Sequence, residues 1–328
     1  MKRLVLSIAV IFTLSLLLTG CGIVNYTYDN WEKYNTGGSV ADNTITSLDV
    51  DWLSGKVEIA YHDGEKIEFF EQNPTPLDDD MKMRYFIEGS KLSIRFAKNG
   101  THAIRLPSKT LTLLIPEGTV LSEIEVESVS ADLSVTVASR DLDLSTTSGN
   151  ISGEGFTRGG TISCESTSGE ITLSGINAPT ELEAESVSGS IKVLGNAEDA
   201  NVELSTTSGN IITSLAGKAA TFSAETTSGE MDLDLDTAGR IEIDSTSGDV
   251  DLTLLTAPEG LEIESVSGDV TLAISGDLDA NLTCRTSSGR VKCSIPAKTE
   301  GKSYVFGSGK YSYSIETSSG DVVIKPAD

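Results

Sequence analysis

Histidine is nearly absent from this sequence, with His62 and His102 the only two in 328 residues. From residue 103 onward a serine has no imidazole to act as its base, which excludes Ser-His nucleophilic chemistry over most of the chain. Cysteine is scarce too: Cys21, Cys164, Cys284 and Cys293 form no CxxC motif and no Cys/His cluster with metal-ligand spacing. With Cys21 set aside, an odd number remains, so a fully paired disulfide framework is excluded. The other three fall at inward positions of the pattern described below, where they pack as small apolar side chains or, for Cys284 and Cys293, bridge across one coil. Basic residues number 24 against 49 acidic ones, a formal charge of −25. That balance argues against a nucleic-acid partner and disfavours an anionic lipid surface for the same reason; it reads as a solubility device or, more sharply, as a binding site for cations or a basic partner. Aromatic residues are rare, and Phe156 and Phe222 are the only ones between Phe96 and Tyr304.

What the sequence has instead is a repeated Ser-Gly turn. Its glycines are Gly149, Gly169, Gly189, Gly209, Gly229, Gly248, Gly268, Gly289 and Gly320, with steps of 20 residues four times, then 19, 20, 21 and 31. A period near 20 marks one small unit copied and stacked. Seven and five residues before each glycine the side chains are apolar, as in Ile162 and Cys164, Leu182 and Ala184, Ile241 and Ile243. Two residues after it come Ile151, Ile171, Ile191, Ile211, Met231, Val250, Val270, Val291 and Val322. This is period-two alternation on both sides of a turn, so two strands with one buried face each. Hairpin copies would give a meander. Equal spacing and constant register favour a coil, because a stacked ladder penalises any unit whose inward residues fall out of step. One coil cannot bury enough to offset the entropy of ordering it, so neighbours must cover its faces. The expected fold is all-β, a parallel β-solenoid of about 20-residue coils. A glycine at a fixed place implies a positive φ, and the hydroxyl three residues before it (Ser166, Ser186, Thr206, Thr226) implies a corner ladder of hydrogen bonds.

The two ends depart from the repeat. Lys2 and Arg3, the apolar run Leu4 to Leu18 and then Leu18-Thr19-Gly20-Cys21 form a secretory signal. The tetrapeptide resembles the lipobox of bacterial lipoproteins, which implies cleavage after residue 20, a diacylglycerol thioether on Cys21 and attachment to a membrane outside the cytoplasm. Residues 21–44 then read as a tether whose Tyr26, Tyr28, Trp31 and Tyr34 either sit at the lipid surface or cap the first coil. Residues 45–120 read as irregular β coils covering the open end, and 121–328 as the regular array. The long last step holds Tyr304, Phe306, Tyr311 and Tyr313, an aromatic C-terminal cap.

Stacking also predicts columns of like charge: Glu165, Glu185, Glu225, Asp244, Glu264 and Glu316 before the turn, and Asp132, Glu170, Glu230, Asp249, Asp269 and Asp321 after it. Calcium bridging is conceivable for such stripes, yet the nonapeptide of calcium β-rolls is missing. The lipobox, the segment Trp52-Leu53-Ser54-Gly55-Lys56-Val57, the run Leu111 to Gly118 and the tandem Ser-Gly units together resemble the bacterial "putative adhesin" family of β-strand repeats, toast-rack in style. The resemblance covers residues 45–328. It implies a single-stranded right-handed solenoid, no catalytic motif or cofactor, and an adhesion or envelope-sensing role with a protein or glycan partner. The sequence-level expectation is therefore a surface lipoprotein that binds envelope or extracellular molecules. The alternatives are an envelope-stress signalling accessory with a membrane partner and, behind it, a carbohydrate-active enzyme.

Overall fold

The computed structural model describes residues 24–327 apart from 43, 157 and 276, so the signal and Cys21 lie outside the described residues. Each coil contributes one strand to each of two parallel sheets, joined through the Ser-Gly corner. Thr161–Ser166 and Ile171–Asn177 make one coil, Glu181–Ser186 and Ile191–Asn196 the next. Ile162 pairs with Leu182, Cys164 with Ala184, and Ile171 with Ile191, so identical positions stand directly above one another. The inward set is the one the alternation marks: Ile162, Cys164, Ile171 and Leu173 are at most 2 % exposed. Burying such a side chain stabilises by about 1.5–3 kcal/mol, and each is covered by the coils on either side. The result is an all-β solenoid with one continuous core along its length.

The order of coils in space differs from their order in sequence at both ends. Ser47–His62 pairs in parallel with Leu121–Val135 on one side. On its other side it pairs with Lys91–Arg95 and Lys109–Pro116. The first coil of the chain is thus second in the stack, and residues 91–116 form the outermost one. At the far end Tyr311–Ser319 pairs with both Gly260–Ser267 and Ala280–Thr286. The last coil of the chain is inserted between two earlier ones, which takes Tyr311 and Tyr313 out of the expected aromatic cap and leaves Tyr304 and Phe306 in it. The cap is the hairpin of Lys298–Glu300 and Ser303–Val305, antiparallel and outside Ala280–Thr286, with Phe306 buried behind it.

Two further corrections concern the N-terminal part. Residues 45–120 include two coils in full register, closed off by antiparallel strands Arg84–Glu88 on one sheet and Ile67–Gln72 on the other. The stretch expected as a tether is docked on that end. Val24–Tyr26 pairs with Thr101–Ala103, Asn35–Thr36 with Arg84–Glu88, and Ser39–Ala41 with Ile67–Gln72. Extra antiparallel strands satisfy the unpaired backbone groups that an open parallel edge would present.

A candidate binding face along the coil corner

The turn glycines owe their place to stacking. Of the nine, only Gly248 has a positive φ, at 155°, so the expected left-handed turn is not the reason for the other eight. A Cβ on Gly169 would stand 1.7 Å from the carbonyl oxygen of Gly149, and one on Gly189 1.8 Å from that of Gly169. Coil backbones approach so closely here that any side chain overlaps the coil beside it. The same contact shows the inverted order at the end, since Gly320 abuts Gly268 and Gly289 abuts Gly320.

The corner hydroxyls bond to backbone on both sides. Ser166 Oγ accepts from Gly169 N at 2.7 Å and donates to Gly149 O at 3.3 Å. Ser186 and Thr206 repeat the pattern. These serines and threonines hold the bend together and are not poised as nucleophiles. In the Ser47–His62 coil, Trp52 occupies the hydroxyl position beside Ser128 and donates its indole N–H to Lys109 O instead. Beyond Gly229 the ladder is interrupted at three coils: Ser245 turns to its own Gly248 O, and Ser265 Oγ and Thr317 Oγ1 are buried with no partner, whereas Thr286 Oγ1 again donates to the stacked Gly320 O at 3.1 Å. The chain also runs extended through those corners, where Ser228, Ser247, Ser267 and Ser319 pair in sequence.

Short polar residues just after the glycine do related work that sequence reasoning missed. Asp132 Oδ1 accepts from Asn150 N, Asn150 Oδ1 from Glu170 N, Asp249 Oδ1 from Asp269 N, and Asp269 Oδ1 from Asp321 N. The visible signal was the run of Asp, Asn and Ser at that one position, all short enough to reach the next backbone N–H. Those aspartates are therefore structural acceptors.

The column before the turn has no such partners. Through successive pairings it runs Arg95, Asp51, Glu127, Ser145, Glu165, Glu185, Ser205, Glu225, Asp244, Glu264, Glu316, Arg285. An arginine closes it at each end, and Arg285 Nη1 lies 2.7 Å from Glu316 Oε1. Along the later coils the corner opens into a groove of about 760 Å³ lined by Glu225, Asp244, Glu264, Glu316, Arg285 and Lys302. Partial burial, then Glu264, Glu242 and Glu225, push the Asp244 carboxyl up to about 6. Burial and neighbouring carboxylates raise Glu165 and Glu185 in the same way. Stacked carboxylates without backbone partners make this stripe a locus of negative potential that attracts cations.

The other singled-out residues are structural. Cys164 and Cys284 are buried free thiols and Cys293 is half-buried; burial pushes Cys284 up to about 12, so these are inert rather than reactive. No group of three His, Cys, Asp or Glu side chains converges as metal ligands among the described residues. His62 Nε2 lies 2.8 Å from Lys66 O at the N-terminal end, far along the array from the groove. At that end Lys109 is fully buried, its ammonium donating to Glu71 Oε2, Met81 O and Phe96 O and lying 3.9 Å from the Phe96 ring centroid. Arg95 grips Asp49 with two nitrogens, at 2.6 and 3.1 Å. Burial pushes the Asp49 carboxyl up, but Arg95 and Lys91 more than reverse it, leaving it below the usual range. The tyrosines of residues 24–36 serve the cap: Tyr26 is 2 % exposed and accepts from Phe96 N, while Tyr28 and Tyr34 stack edge-on at 5.0 Å. Trp31 alone of that set is largely exposed.

A crystal structure described as a "putative cell adhesion protein" from Clostridium sporogenes is 13 % identical, with a TM-score of 0.27, over 90 % of this chain and 100 % of that one. A "putative adhesin" from Bacteroides fragilis is 10 % identical, with a TM-score of 0.34, over 93 % of this chain and 96 % of the other. No curated protein matches the sequence. The model of the Toastrack DUF4097 family matches residues 45–256 and again 236–325, two overlapping stretches that take in nearly all the coils described above. The chain belongs to the Toastrack DUF4097 family.

Proposed function

We propose that this protein is a non-catalytic binding module of the bacterial cell envelope, anchored through an acylated Cys21, whose ligand is a basic segment of an envelope or extracellular molecule. The observation that carries the reading is the carboxylate column in the corner groove of the later coils. Its groups lack the backbone partners that occupy the aspartates across the turn, and Asp244 is raised to about 6 by burial and like charge. A positively charged ligand would relieve that repulsion, and the arginines at both ends would define how far it extends. The sequence supports the anchor through the ordered signal, apolar run and Cys21. Catalysis is not part of the proposal, because both histidines, His62 and His102, lie outside the regular array and none lines the groove to activate its hydroxyls.

The test is retention of cationic and neutral probes on immobilised protein lacking its lipid: poly-lysine, basic envelope proteins and uncharged glycans. Retention of the cationic probes should fall steeply with salt and drop by about tenfold in Asp244→Asn/Glu264→Gln, equivalent to about 1.4 kcal/mol. Retention of neutral glycans alone, indifferent to those changes, would overturn the proposal.

A further inference from the structure

The N-terminal end of the solenoid offers a surface unlike the rest. The chain is fixed almost as soon as it leaves Cys21: Val24 pairs with Ala103, and Tyr26, with its hydroxyl on Phe96 N, is buried. Two residues lie between Cys21 and Val24, and three steps of an extended chain span at most about 3.3–3.6 Å each, so a lipid on Cys21 stands within about 10 Å of this end.

Two large apolar side chains stand exposed there among charged ones. Ile104, next to the Ala103 that pairs with Val24, is 78 % exposed, and Trp31 is 54 % exposed. Trp31 opens the short 3-10 turn Trp31–Lys33, whose Lys33 lies 5.4 Å from the Phe86 ring centroid and 3.8 Å from Glu88, which places the turn beside exposed Ile87. Lys33 and Arg105 flank the two largest apolar groups in sequence. Trp with neighbouring Lys or Arg favours the boundary between headgroups and acyl chains. Charge points the same way: residues 24–120 hold 15 acidic and 10 basic residues, whereas residues 121–284 hold 30 and 5. The acidic coils between are therefore repelled by an anionic lipid surface more strongly than either end, since residues 285–328 hold 4 acidic and 7 basic residues, and of the two ends it is the N-terminal one that adjoins Cys21.

We infer that this end is seated on the bilayer, with Trp31 and Ile104 in the interface and the acidic coils standing away from it. The inference rests on the proposed anchor and adds the orientation. Trp31 makes it measurable, because the only other tryptophan, Trp52, is fully buried. The full chain is purified from a bacterial host, its intact mass read for the diacyl group, and the protein placed in phosphatidylcholine vesicles carrying brominated acyl chains. The expected result is an acylated chain whose Trp31 emission shifts blue and is quenched by the bromines, with no quenching in Trp31→Phe and with Ile104→Asp returning Trp31 to water. An acylated chain whose Trp31 is quenched by aqueous iodide and not by brominated lipid overturns the orientation while leaving the anchor. A chain without acyl groups overturns both.

Discussion

The middle of the solenoid and its two ends are built on different principles. From residue 139 to about 215 the coils repeat one corner: a glycine pressed against the next glycine, a hydroxyl bonded to backbone on both sides, and a short polar residue accepting from the following coil. Hardly any ion pairs occur there. The ends use what the middle lacks, namely aromatic clusters, buried cations and antiparallel strands: Trp52, Phe96 and Lys109 with Glu71 at one, Phe306 and the hairpin at the other. Repetition works only where each coil has a neighbour on both sides. A coil with one neighbour must be completed by residues that do not repeat.

The sharpest way to break the middle is to add one carbon. Gly189→Ala places a Cβ 1.8 Å from Gly169 O and should cost about 3 kcal/mol or more, because two stacked backbones must separate. Gly260→Ala is the control, since the nearest atom to its Cβ is Arg240 Cγ at 3.9 Å, and its urea midpoint should stay close to wild type. The end breaks differently. Lys109→Met strands Glu71, only 10 % exposed, and should cost about 3–5 kcal/mol. Hydrogen exchange should show the loss confined to residues 47–116, and adding Glu71→Gln should recover part of it.

A smaller effect separates the two halves of the corner ladder. Thr206→Val orphans Gly209 N and Gly189 O and should cost about 1–3 kcal/mol in chemical denaturation. Thr317→Val removes a hydroxyl with no partner and should be neutral or slightly stabilising. The smallest expected effect is that of pH. Asp244 is raised from 3.8 to about 6, so between those values the native state holds a proton that the unfolded chain releases, and stability falls as pH rises through that window. Asp49 at the end is depressed, so its contribution is present above the unfolded carboxyl pKa and lost only as pH falls below it. The melting temperature should therefore be higher near pH 4 than near pH 7, and Asp244→Asn should flatten the fall between them.

The coil, its period and its buried face were legible because every unit repeats the same inward residues, and Ile162, Ile171 and their counterparts lie where alternation puts them. The carboxylate column was legible for the same reason. The role of the glycines was not, because a close approach between coils and a left-handed turn leave the same residue in the sequence. Coil order was hidden too. When all coils present one interface, nothing in Leu261 or Ile263 says that Tyr313 and Ile315 will lie against them rather than Leu282 and Cys284. The 31-residue step was the one trace of the exchange. The docked segment at residues 24–36 escaped because its pairing partners, Thr101–Ala103 and Arg84–Glu88, lie in sequence with no repeat to compare.

The inserted last coil bears on how the molecule is made. As the chain emerges from its N-terminus, residues 260–274 are left with an open parallel edge, and residues 280–293 follow without being able to close it in their final register. That edge waits until residues 311–326 arrive and slide between the two. Without residues 311–326 the facing edges of Gly260–Ser267 and Ala280–Thr286 would each lack the partner they have here, and an unpaired parallel edge is a template for other chains. Residues 311–326 thus complete the stack from within, while the antiparallel hairpin of residues 298–305 covers its outer edge.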